Sequence, residues 1–283
     1  MSAAPAPTTT ARVAAVQLAT GRSRDDVLEA TADLVERAAA EGAGLVVLPE
    51  LFAAPFVQPE TDPGFFAHAE ALDGPSNTLV GELSRRLGIT VVSSVFEALP
   101  TPGVYANTAC TYVAGELAHV YRKSHLPFSN GFPEKFYFRP GQEAPRAVDT
   151  TVGRVGTIIC YERHFPELGR CVALDGGVAL AVPVACASAP MKEVFQLELR
   201  AQAVANGFYV VCANRSGSED SKDYFGTSAV YGPSGEVLAV IDSGDGVAVA
   251  DLDVDLVART RASRPFLRDR RPDLYAALSS GAL

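Results

Sequence analysis

Short apolar segments that predict buried strands alternate with helical patterns along almost the whole chain. The segment at 12–18 (RVAAVQL) is one such strand, and the stretch at 25–40 carries apolar residues at helical spacing. This order predicts an α/β fold with helices layered on mixed β-sheets. Because no linker rich in glycine, serine or proline interrupts it, we predict one domain at 11–258, between a flexible N-terminal tail at 1–10 and a C-terminal tail at 259–283.

The individual elements follow from apolar periodicity and from the glycines and prolines that end them. The predicted helices are 25–40, 77–87, 166–174 and 191–205. The predicted strands are 12–18, 45–48, 89–96, 105–113, 117–122, 153–160, 178–183, 208–213, 227–231 and 247–252. The fourth and fifth strands flank a turn at Ala114 and Gly115, which predicts a hairpin.

Composition excludes several classes of protein. Hydrophobic residues make up 48% of the 283 residues, enough for a large buried core, which excludes global disorder. Lys and Arg total 24 and Asp and Glu total 33, a formal net charge of −9, so a nucleic-acid partner is not expected. No apolar run reaches the roughly 18 residues of a membrane span, and the first ten residues lack the charged and apolar regions of a signal peptide.

The cysteines indicate a reduced compartment. Their number is odd, no two are spaced as CxxC, and they are dispersed over Cys110, Cys160, Cys171, Cys186 and Cys212. This pattern argues against a disulfide framework and predicts a cytoplasmic protein. All but Cys160 are predicted to be core residues. The four histidines form no HExxH pair, so we predict neither a metal site nor a cofactor.

Three reactive residues lie where predicted strands end. Glu50 follows LVVLP, Lys123 follows the second strand of the hairpin, and Cys160 ends the strand GRVGTIIC. In α/β proteins functional residues collect at the carboxyl ends of strands. A single charged residue at a strand end is usually only solvated, but three groups with complementary chemistry predict a site. We therefore expect these side chains to converge in one pocket.

These three residue types can together perform acyl transfer. A free thiol with a pKa of about 8.5 is mostly protonated at neutral pH and needs a base or a nearby cation to react. A partly desolvated carboxylate can act as the base, and an ammonium group can stabilise a thiolate or an oxyanion. Glu50, Lys123 and Cys160 therefore predict nucleophilic catalysis without a metal ion or cofactor.

The segments around these residues resemble the motifs of a known family. "GLVVLPEL", "YRKSHLP" and "GTIICYERHFPE" are similar to the three motifs of the nitrilase superfamily, the carbon–nitrogen hydrolases. The resemblance implies that Glu50 is the general base, Lys123 the oxyanion stabiliser and Cys160 the nucleophile. It also implies that Glu134, in "EKFYF", hydrogen-bonds the catalytic lysine, and that the backbone N–H of Tyr161 is the second oxyanion donor.

The resemblance extends over nearly the whole chain and implies the fold and assembly. "AVQL", "ELRAQAVANGFYVVCANRSG" and "YFGTSAVYGPSGE" are further similar segments. The family has a four-layer αββα sandwich with two mixed sheets, which dimerises to αββα–αββα. We therefore expect a homodimer or a larger even assembly, with the arginine-rich stretch at 259–271 contributing to the subunit contact.

The substrate is less constrained, because the superfamily hydrolyses nitriles, amides and N-carbamoyl compounds. "EKFYFRPG" and "YFGTS" resemble the carbamoyl-cleaving branches, which include N-carbamoylputrescine amidase, β-ureidopropionase and N-carbamoyl amino acid hydrolase. Arg163 is therefore a candidate clamp for a substrate carboxylate, with His125 and His164 as further substrate-binding candidates. The alternative for Arg163 is a structural ion pair with Glu162 or Glu167.

Other functions share the same catalytic groups. We expect hydrolysis of an N-carbamoyl amino acid or amine through a cysteine thioester, with release of ammonia and CO2. A general aliphatic amidase or ω-amidase would need no carboxylate clamp, and a nitrilase is a further alternative. The ureidopropionase pattern has a second histidine where this chain has Phe165. A non-catalytic interaction scaffold is disfavoured because the catalytic residue types are all present.

Overall fold

The computed structural model of the chain describes residues 10–56, 61–129, 131–219 and 222–279, so the predicted N-terminal tail lies outside them except for Thr10. Within these residues the chain forms fourteen strands and seven helices. The strands are β1 (Thr10–Ala19), β2 (Ala43–Val47), β3 (Thr90–Ala98), β4 (Tyr105–Val113), β5 (Glu116–Arg122), β6 (Ala147–Thr150), β7 (Gly153–Thr157), β8 (Ala179–Pro183), β9 (Tyr209–Ala213), β10 (Arg215–Glu219), β11 (Lys222–Phe225), β12 (Ala229–Tyr231), β13 (Val237–Val240) and β14 (Gly246–Asp253).

The helices differ widely in length. They are α1 (Arg24–Ala40), α2 (Pro75–Leu87), α3 (Glu134–Tyr137), α4 (Pro166–Leu174), α5 (Lys192–Asn206), α6 (Val254–Ser263) and α7 (Ala276–Ser279). Short 3₁₀ helices lie at Pro63–His68, Cys160–His164, Ala189–Met191 and Pro272–Leu274. None of the helices in the described part of the chain is long and apolar enough to span a membrane.

The strands form two mixed sheets, of eight and six strands. The larger sheet has the order β11-β10-β1-β2-β3-β4-β5, and β14 also pairs with β1. In this sheet β1, β2 and β3 are parallel, whereas β3, β4 and β5 are antiparallel to their sequence neighbours. The smaller sheet has the order β13-β12-β9-β8-β7-β6, with β7, β8 and β9 parallel.

Apolar side chains divide the molecule into four layers. Alternate residues of β1 point to opposite faces of the sheet: Val13 and Ala15 pack against the smaller sheet, whereas Ala14 and Val16 pack towards α1. Helices α1 and α2 cover the outer face of the larger sheet, and α4 and α5 cover the outer face of the smaller one. The predicted αββα sandwich with two mixed sheets is therefore confirmed.

Helix α4 has the predicted bounds, because Pro166 occupies its first turn and two glycines follow it.

Strand β7 is shorter than predicted, because it ends at Thr157. Beyond it, Cys160 has a φ of 46° and begins a 3₁₀ helix. Strands β6, β10, β11 and β13 are absent from the prediction. Their segments are polar or lie at sheet edges, where apolar alternation is weak.

Helix α6 crosses residue 259, where the C-terminal tail was predicted to begin. The last turn of α6 is fixed to its own subunit, because Arg261 donates hydrogen bonds to the carbonyl oxygens of Asn206 at 3.1 Å and Gly177 at 2.6 Å. Further along, Arg268 and Arg271 form ion pairs with acidic residues of the same segment. These three arginines thus have partners within their own chain.

Candidate active site

Glu50 is positioned by the turn that follows β2. Its N–H donates to the carbonyl oxygen of Val184, beyond β8, at 3.2 Å, and the N–H of Phe52 donates to that of Ser94 in β3 at 3.2 Å. Leu51 has a φ of 48°, a left-handed conformation that is uncommon for leucine, so the chain reverses sharply after Glu50. The Glu50 side chain is fully buried.

A buried arginine that the sequence analysis did not single out supports the same turn. The Arg215 guanidinium donates hydrogen bonds to the carbonyl oxygens of Glu50 at 3.0 Å, Ala54 at 2.7 Å, and Leu51. An arginine bound to three backbone carbonyls fixes the path of the chain on both sides of the carboxylate. The signal in the sequence is an arginine directly after the apolar strand FYVVCAN.

Lys123 follows β5, and its side chain is also fully buried. Its N–H donates to the carbonyl oxygen of Asn107 at 2.9 Å, and its carbonyl oxygen accepts from the N–H of Gly141 at 2.9 Å. The ammonium Nζ donates to Oε1 of Glu50 at 2.7 Å and to both carboxylate oxygens of Glu134 at 2.8 Å. One ammonium group therefore lies between two buried carboxylates.

Burial and charge both shift the pKa values of this group. Burial alone lowers the pKa of Lys123, but the carboxylates of Glu134 and Glu50 outweigh it and raise that pKa above its ordinary value. Burial raises the pKa of Glu134 to about 7, with Lys123 opposing the shift and Glu50 adding to it. Lys123 consequently keeps its positive charge at neutral pH.

Cys160 opens the 3₁₀ helix that follows β7, in the smaller sheet. Its φ of 46° is a left-handed conformation, and strain of this kind at a non-glycine residue is common at functional sites. Burial raises the pKa of the Cys160 thiol well above its ordinary value; Glu50 raises it further, whereas Lys123 and Arg163 lower it. The thiol is therefore protonated at neutral pH, and a base must remove its proton before it reacts.

The two sheets bring the predicted catalytic residues together. Glu50 and Lys123 extend from the larger sheet, Cys160 extends from the smaller sheet, and Glu134 lies on α3. The charges of Glu50 and Lys123 both act on the Cys160 thiol. Tyr161 follows Cys160 in the first turn of the 3₁₀ helix, where backbone N–H groups have no acceptor within the helix.

Asn107 completes the surroundings of Glu50, and the sequence analysis did not identify it. Its Nδ2 donates to Oε1 of Glu50 at 2.8 Å, and Oγ of Ser94 donates to its Oδ1 at 3.0 Å. Oε1 of Glu50 thus accepts from both Asn107 and Lys123, whereas Oε2 has no hydrogen-bond partner in the described part of the chain. An asparagine inside the strand YANTACTYV was the available signal.

Glu162 connects the turn that carries the nucleophile to the loop after Lys123. Its Oε2 accepts from the N–H of Ile159 at 2.8 Å, and its Oε1 accepts from Ser124 N–H at 2.8 Å and the Tyr121 hydroxyl at 2.7 Å. Burial raises the pKa of Glu162, but the hydrogen bonds donated to its carboxylate outweigh burial and lower that pKa below its ordinary value. Glu162 is therefore an ionised group that holds two parts of the site together.

The structure gives Arg163 a partner within the protein. Its side chain is buried, with Nε 2.9 Å from Oε2 of Glu198 and NH1 donating to the carbonyl oxygen of Cys160 at 3.2 Å. The ion-pair partner is thus Glu198 on α5, and neither Glu162 nor Glu167. A guanidinium already paired inside the protein is not the free cation that a carboxylate clamp requires.

The two candidate histidines occupy different surroundings. Nδ1 of His164 lies 2.5 Å from Oε1 of Glu198, so the carboxylate that pairs with Arg163 also holds this ring. His125 lines a groove of 470 Å³ with Tyr161 and Phe165, and its ring centroid lies 4.0 Å from that of Phe165. His125 is thus placed beside the residue that follows the nucleophile, whereas His164 is held on the α5 side.

The remaining cysteines are mostly internal. Cys110, Cys186 and Cys212 are buried, and Cys171 on α4 is half-buried. Among the residues that the structure describes, no group of three or more His, Cys, Asp or Glu side chains could hold a metal ion.

The sequence and the structure are similar to those of known hydrolases. The family model described as carbon-nitrogen hydrolase matches residues 12–262. N-carbamoylputrescine amidase from Arabidopsis thaliana is 32% identical over 282 residues, which cover 94% of each chain. The chloroplastic omega-amidase from the same plant is 34% identical over 253 residues, which cover 85% of this chain and 67% of that protein.

A solved structure supports the same assignment. The carbon-nitrogen hydrolase from Helicobacter pylori G27 superposes with a TM-score of 0.91 at 31% sequence identity, covering 97% of this chain and 100% of that one. The range that the family model matches includes Glu50, Lys123 and Cys160. The chain therefore belongs to the nitrilase superfamily of carbon–nitrogen hydrolases, and it is a hydrolase that acts on amides.

Proposed function

We propose that the chain hydrolyses an N-carbamoyl amine or N-carbamoyl amino acid, releasing ammonia and CO2. The observation that carries the proposal is the buried ammonium of Lys123 between Glu50 and Glu134, in electrostatic contact with a thiol in a strained turn. This group supplies the base, the cation and the nucleophile that acyl transfer requires. The relative that covers 94% of the chain, an N-carbamoylputrescine amidase, supports the carbamoyl class.

The first step is attack by Cys160 on the carbonyl carbon of the substrate. Oε1 of Glu50 is engaged by Lys123 and Asn107, so the unpartnered Oε2 is the atom that takes the thiol proton. The sulfur–carbon bond forms as that proton moves. The negative charge that develops on the substrate oxygen is stabilised by Lys123 and by the backbone N–H of Tyr161.

The second step expels ammonia and leaves the acyl group on the sulfur. Glu50 returns its proton to the leaving nitrogen, the carbon–nitrogen bond breaks, and the carbamoyl carbon remains on Cys160 as a thioester. A water molecule, deprotonated by Glu50, then attacks this thioester, and the thiolate leaves and is reprotonated. The released carbamate loses CO2, whereas a plain amide would give a carboxylate.

A general aliphatic amidase is the second candidate function. The observation that favours it is the ion pair between Arg163 and Glu198, which neutralises the cation expected to select a substrate carboxylate. The similarity to an omega-amidase points to the same alternative. Both functions use the same steps at Cys160, so substrate comparison decides between them.

An ammonia-release assay over N-carbamoyl amino acids, N-carbamoyl amines, simple amides and nitriles tests the proposal. We expect an N-carbamoyl compound to have the highest kcat/KM, and a simple amide in first place would establish the second candidate. Cys160→Ala should abolish release with an unchanged fold, and mass spectrometry should find the acyl adduct on Cys160. Cys171→Ala, a half-buried cysteine on α4, is the matched control and should retain activity. Activity in Cys160→Ala would contradict the covalent mechanism.

We also propose that the chain forms a homodimer or a larger even assembly. Apolar side chains are exposed on α5 and near the C-terminus, where a second copy can cover them. They are Val194, Leu197, Phe266, Leu274 and Leu278. The cytoplasmic location, which rests on the cysteine pattern, stays a prediction.

A further inference from the structure

Tyr224 on β11 borders the catalytic groups without being one of the residues that the mechanism uses. It belongs to an apolar cluster built from the segments that carry those groups. Leu51 follows Glu50 directly, Leu126 lies three residues after Lys123, and Tyr137 ends the helix of Glu134. Ala187 joins the same cluster from beyond β8 and forms a β-bridge with Tyr224. Tyr224 therefore packs among the segments that carry Glu50, Lys123 and Glu134.

The hydroxyl group of Tyr224 has no hydrogen-bond partner among the described residues, and the residue is only 4% exposed. Buried hydroxyl groups are normally paired, because leaving one unpaired costs about 1–3 kcal/mol. Burial raises the pKa of this hydroxyl. Arg215 opposes the increase, whereas Glu50 and Cys160 raise the pKa further. The group is thus a neutral phenol, able to donate or accept one hydrogen bond, within electrostatic reach of the base and the nucleophile.

The reacting groups leave one requirement of a ureido substrate unmet. In R–NH–CO–NH2 the amide nitrogen that leaves faces the base, and the oxygen faces Lys123 and the Tyr161 N–H. The second N–H, on the side of R, needs an acceptor in a site from which water is excluded. The corresponding amide R–CH2–CO–NH2 has a methylene group there and needs none.

We propose that the Tyr224 hydroxyl accepts a hydrogen bond from this second N–H, which makes Tyr224 the residue that selects N-carbamoyl compounds over plain amides. The inference rests on the proposed function and deepens it, because it names the atom that distinguishes the two candidate substrate classes. A site that provides a hydrogen-bonding group disfavours an analogue that cannot use it, since the buried hydroxyl then stays unpaired. The group R lies beyond this N–H and does not affect the hydrogen bond.

The chain provides a matched control for this tyrosine. Tyr231 on β12 is 1% exposed, and its hydroxyl also has no hydrogen-bond partner in the described part of the chain. It packs in the cluster between the smaller sheet and its helices, and the charged or ionisable groups that act on it are Cys212 and Arg200. Tyr231→Phe therefore removes the same buried atom at a place where neither Glu50 nor Cys160 is among the groups that act on it.

The test compares isosteric substrates in which N–H replaces CH2. The pairs are N-carbamoyl-β-alanine with glutaramate, and N-carbamoylputrescine with 6-aminohexanamide. We expect Tyr224→Phe to lower kcat/KM for the ureido member of the preferred pair about tenfold, the value of one neutral hydrogen bond, and to leave the amide member within about twofold. Tyr231→Phe should change neither, and thermal unfolding should show both variants folded.

A binding measurement separates this inference from the proposed function. Calorimetry with the Cys160→Ala variant, with and without Tyr224→Phe, should show weaker binding of the ureido compound alone. If Tyr224→Phe weakens binding of the ureido compound but the unmodified chain shows no turnover, the role of Tyr224 stands and the hydrolase proposal fails. Three outcomes would overturn the role of Tyr224, whatever the assay finds for hydrolysis. They are equal effects of Tyr224→Phe on ureido and amide members, no effect on either, and no binding of any of the four compounds.

Discussion

The guanidinium of Arg163 contacts both a carboxylate and the backbone of the nucleophile. Glu198 neutralises the guanidinium, and the bond to the carbonyl oxygen of Cys160 ties it to the strained turn. Removing one member of such a pair leaves the other charge buried without a partner. We therefore propose that Arg163 positions Cys160, a role that makes no distinction between substrates.

We expect Arg163→Ala and Arg163→Lys to lower kcat/KM by a similar factor for carboxylate-bearing, amine-bearing and neutral substrates. The reason is that neither variant reproduces the planar guanidinium that reaches both Glu198 and the Cys160 carbonyl. Breaking the pair should also lower stability, by up to about 3–5 kcal/mol, visible as a lower Tm. Glu198→Gln should behave alike. A loss confined to carboxylate substrates would restore the clamp.

Glu134 sets an expected pH dependence. Its pKa is raised to about 7 by burial, so lowering the pH through this value protonates the carboxyl and removes a negative charge from beside Lys123. We expect kcat/KM to fall on this acidic side, because Lys123 loses the charged partner that holds its ammonium group in place. A pH–rate profile measures the effect, and Glu134→Gln should show low activity with that acidic limb removed. An unchanged limb in Glu134→Gln would assign the titration to another group.

At the scale of elements, the loop after α3 is pressed against the end of β5. A Cβ atom added at Gly141 would lie 2.0 Å from the carbonyl oxygen of Arg122, and this contact is with backbone, which cannot rotate away. The N–H of Gly141 also donates to the carbonyl oxygen of Lys123. The absence of a side chain at this position is therefore what lets the loop hold the backbone of Lys123.

We expect Gly141→Ala to lose stability by at least about 1–3 kcal/mol, the usual cost of overpacking, and to lose most activity because Lys123 is displaced. Chemical denaturation and the ammonia-release assay measure the two effects. Gly103→Ala is the control: Gly103 has a φ of +79° with no atom within 4 Å of an added Cβ, so it should lose about 1–2 kcal/mol with kcat unchanged. Full activity in folded Gly141→Ala would show that the loop does not position the lysine.

The sequence predicted those elements whose residues show strong local patterns. Helix α4 was predicted with its observed bounds, because proline and glycine limit it locally. Helix α6 was not predicted, since only Val257 and Thr260 are buried in it and its arginines resemble a solvated tail. The polar strands β10 and β11 were not predicted either, because their sequences show little apolar alternation. Strand β10 joins the sheet by pairing with β1, a contact distant in sequence, and β11 joins it through β10.

In the candidate site, too, local patterns predicted some residues, whereas contacts distant in sequence determine the others. The ends of apolar strands and the motifs around them indicated Glu50, Lys123 and Cys160, and the structure brings their segments together. The partners of these residues depend on contacts distant in sequence. Asn107 lies 57 positions from the carboxylate that it binds, and Glu198 is separated from Arg163 by β8. A pattern read along the chain could not supply either pair.

At the scale of the whole molecule, the exposed apolar side chains of α5 predict the oligomeric state. We expect light scattering at micromolar concentration to show a dimer or a larger even assembly. Leu197→Asp, at a position 62% exposed on α5, should dissociate it, because a buried carboxylate without a partner destabilises an interface. Leu117→Asp, at a position 41% exposed on β5, is the control and should leave the assembly intact. A monomeric unmodified chain would contradict the proposed assembly.

The division of the proposed catalytic groups between the two sheets makes turnover a reporter of tertiary structure. Consider an intermediate that keeps every helix and both sets of strand hydrogen bonds but in which the two sheets have separated. It would look native by far-UV circular dichroism and would hydrolyse nothing. Activity followed along a denaturant series therefore measures the docking of one sheet on the other. If such an intermediate is populated, the enzyme stops working before its secondary structure melts, and the gap between the two transitions gives the stability of the interface between the sheets.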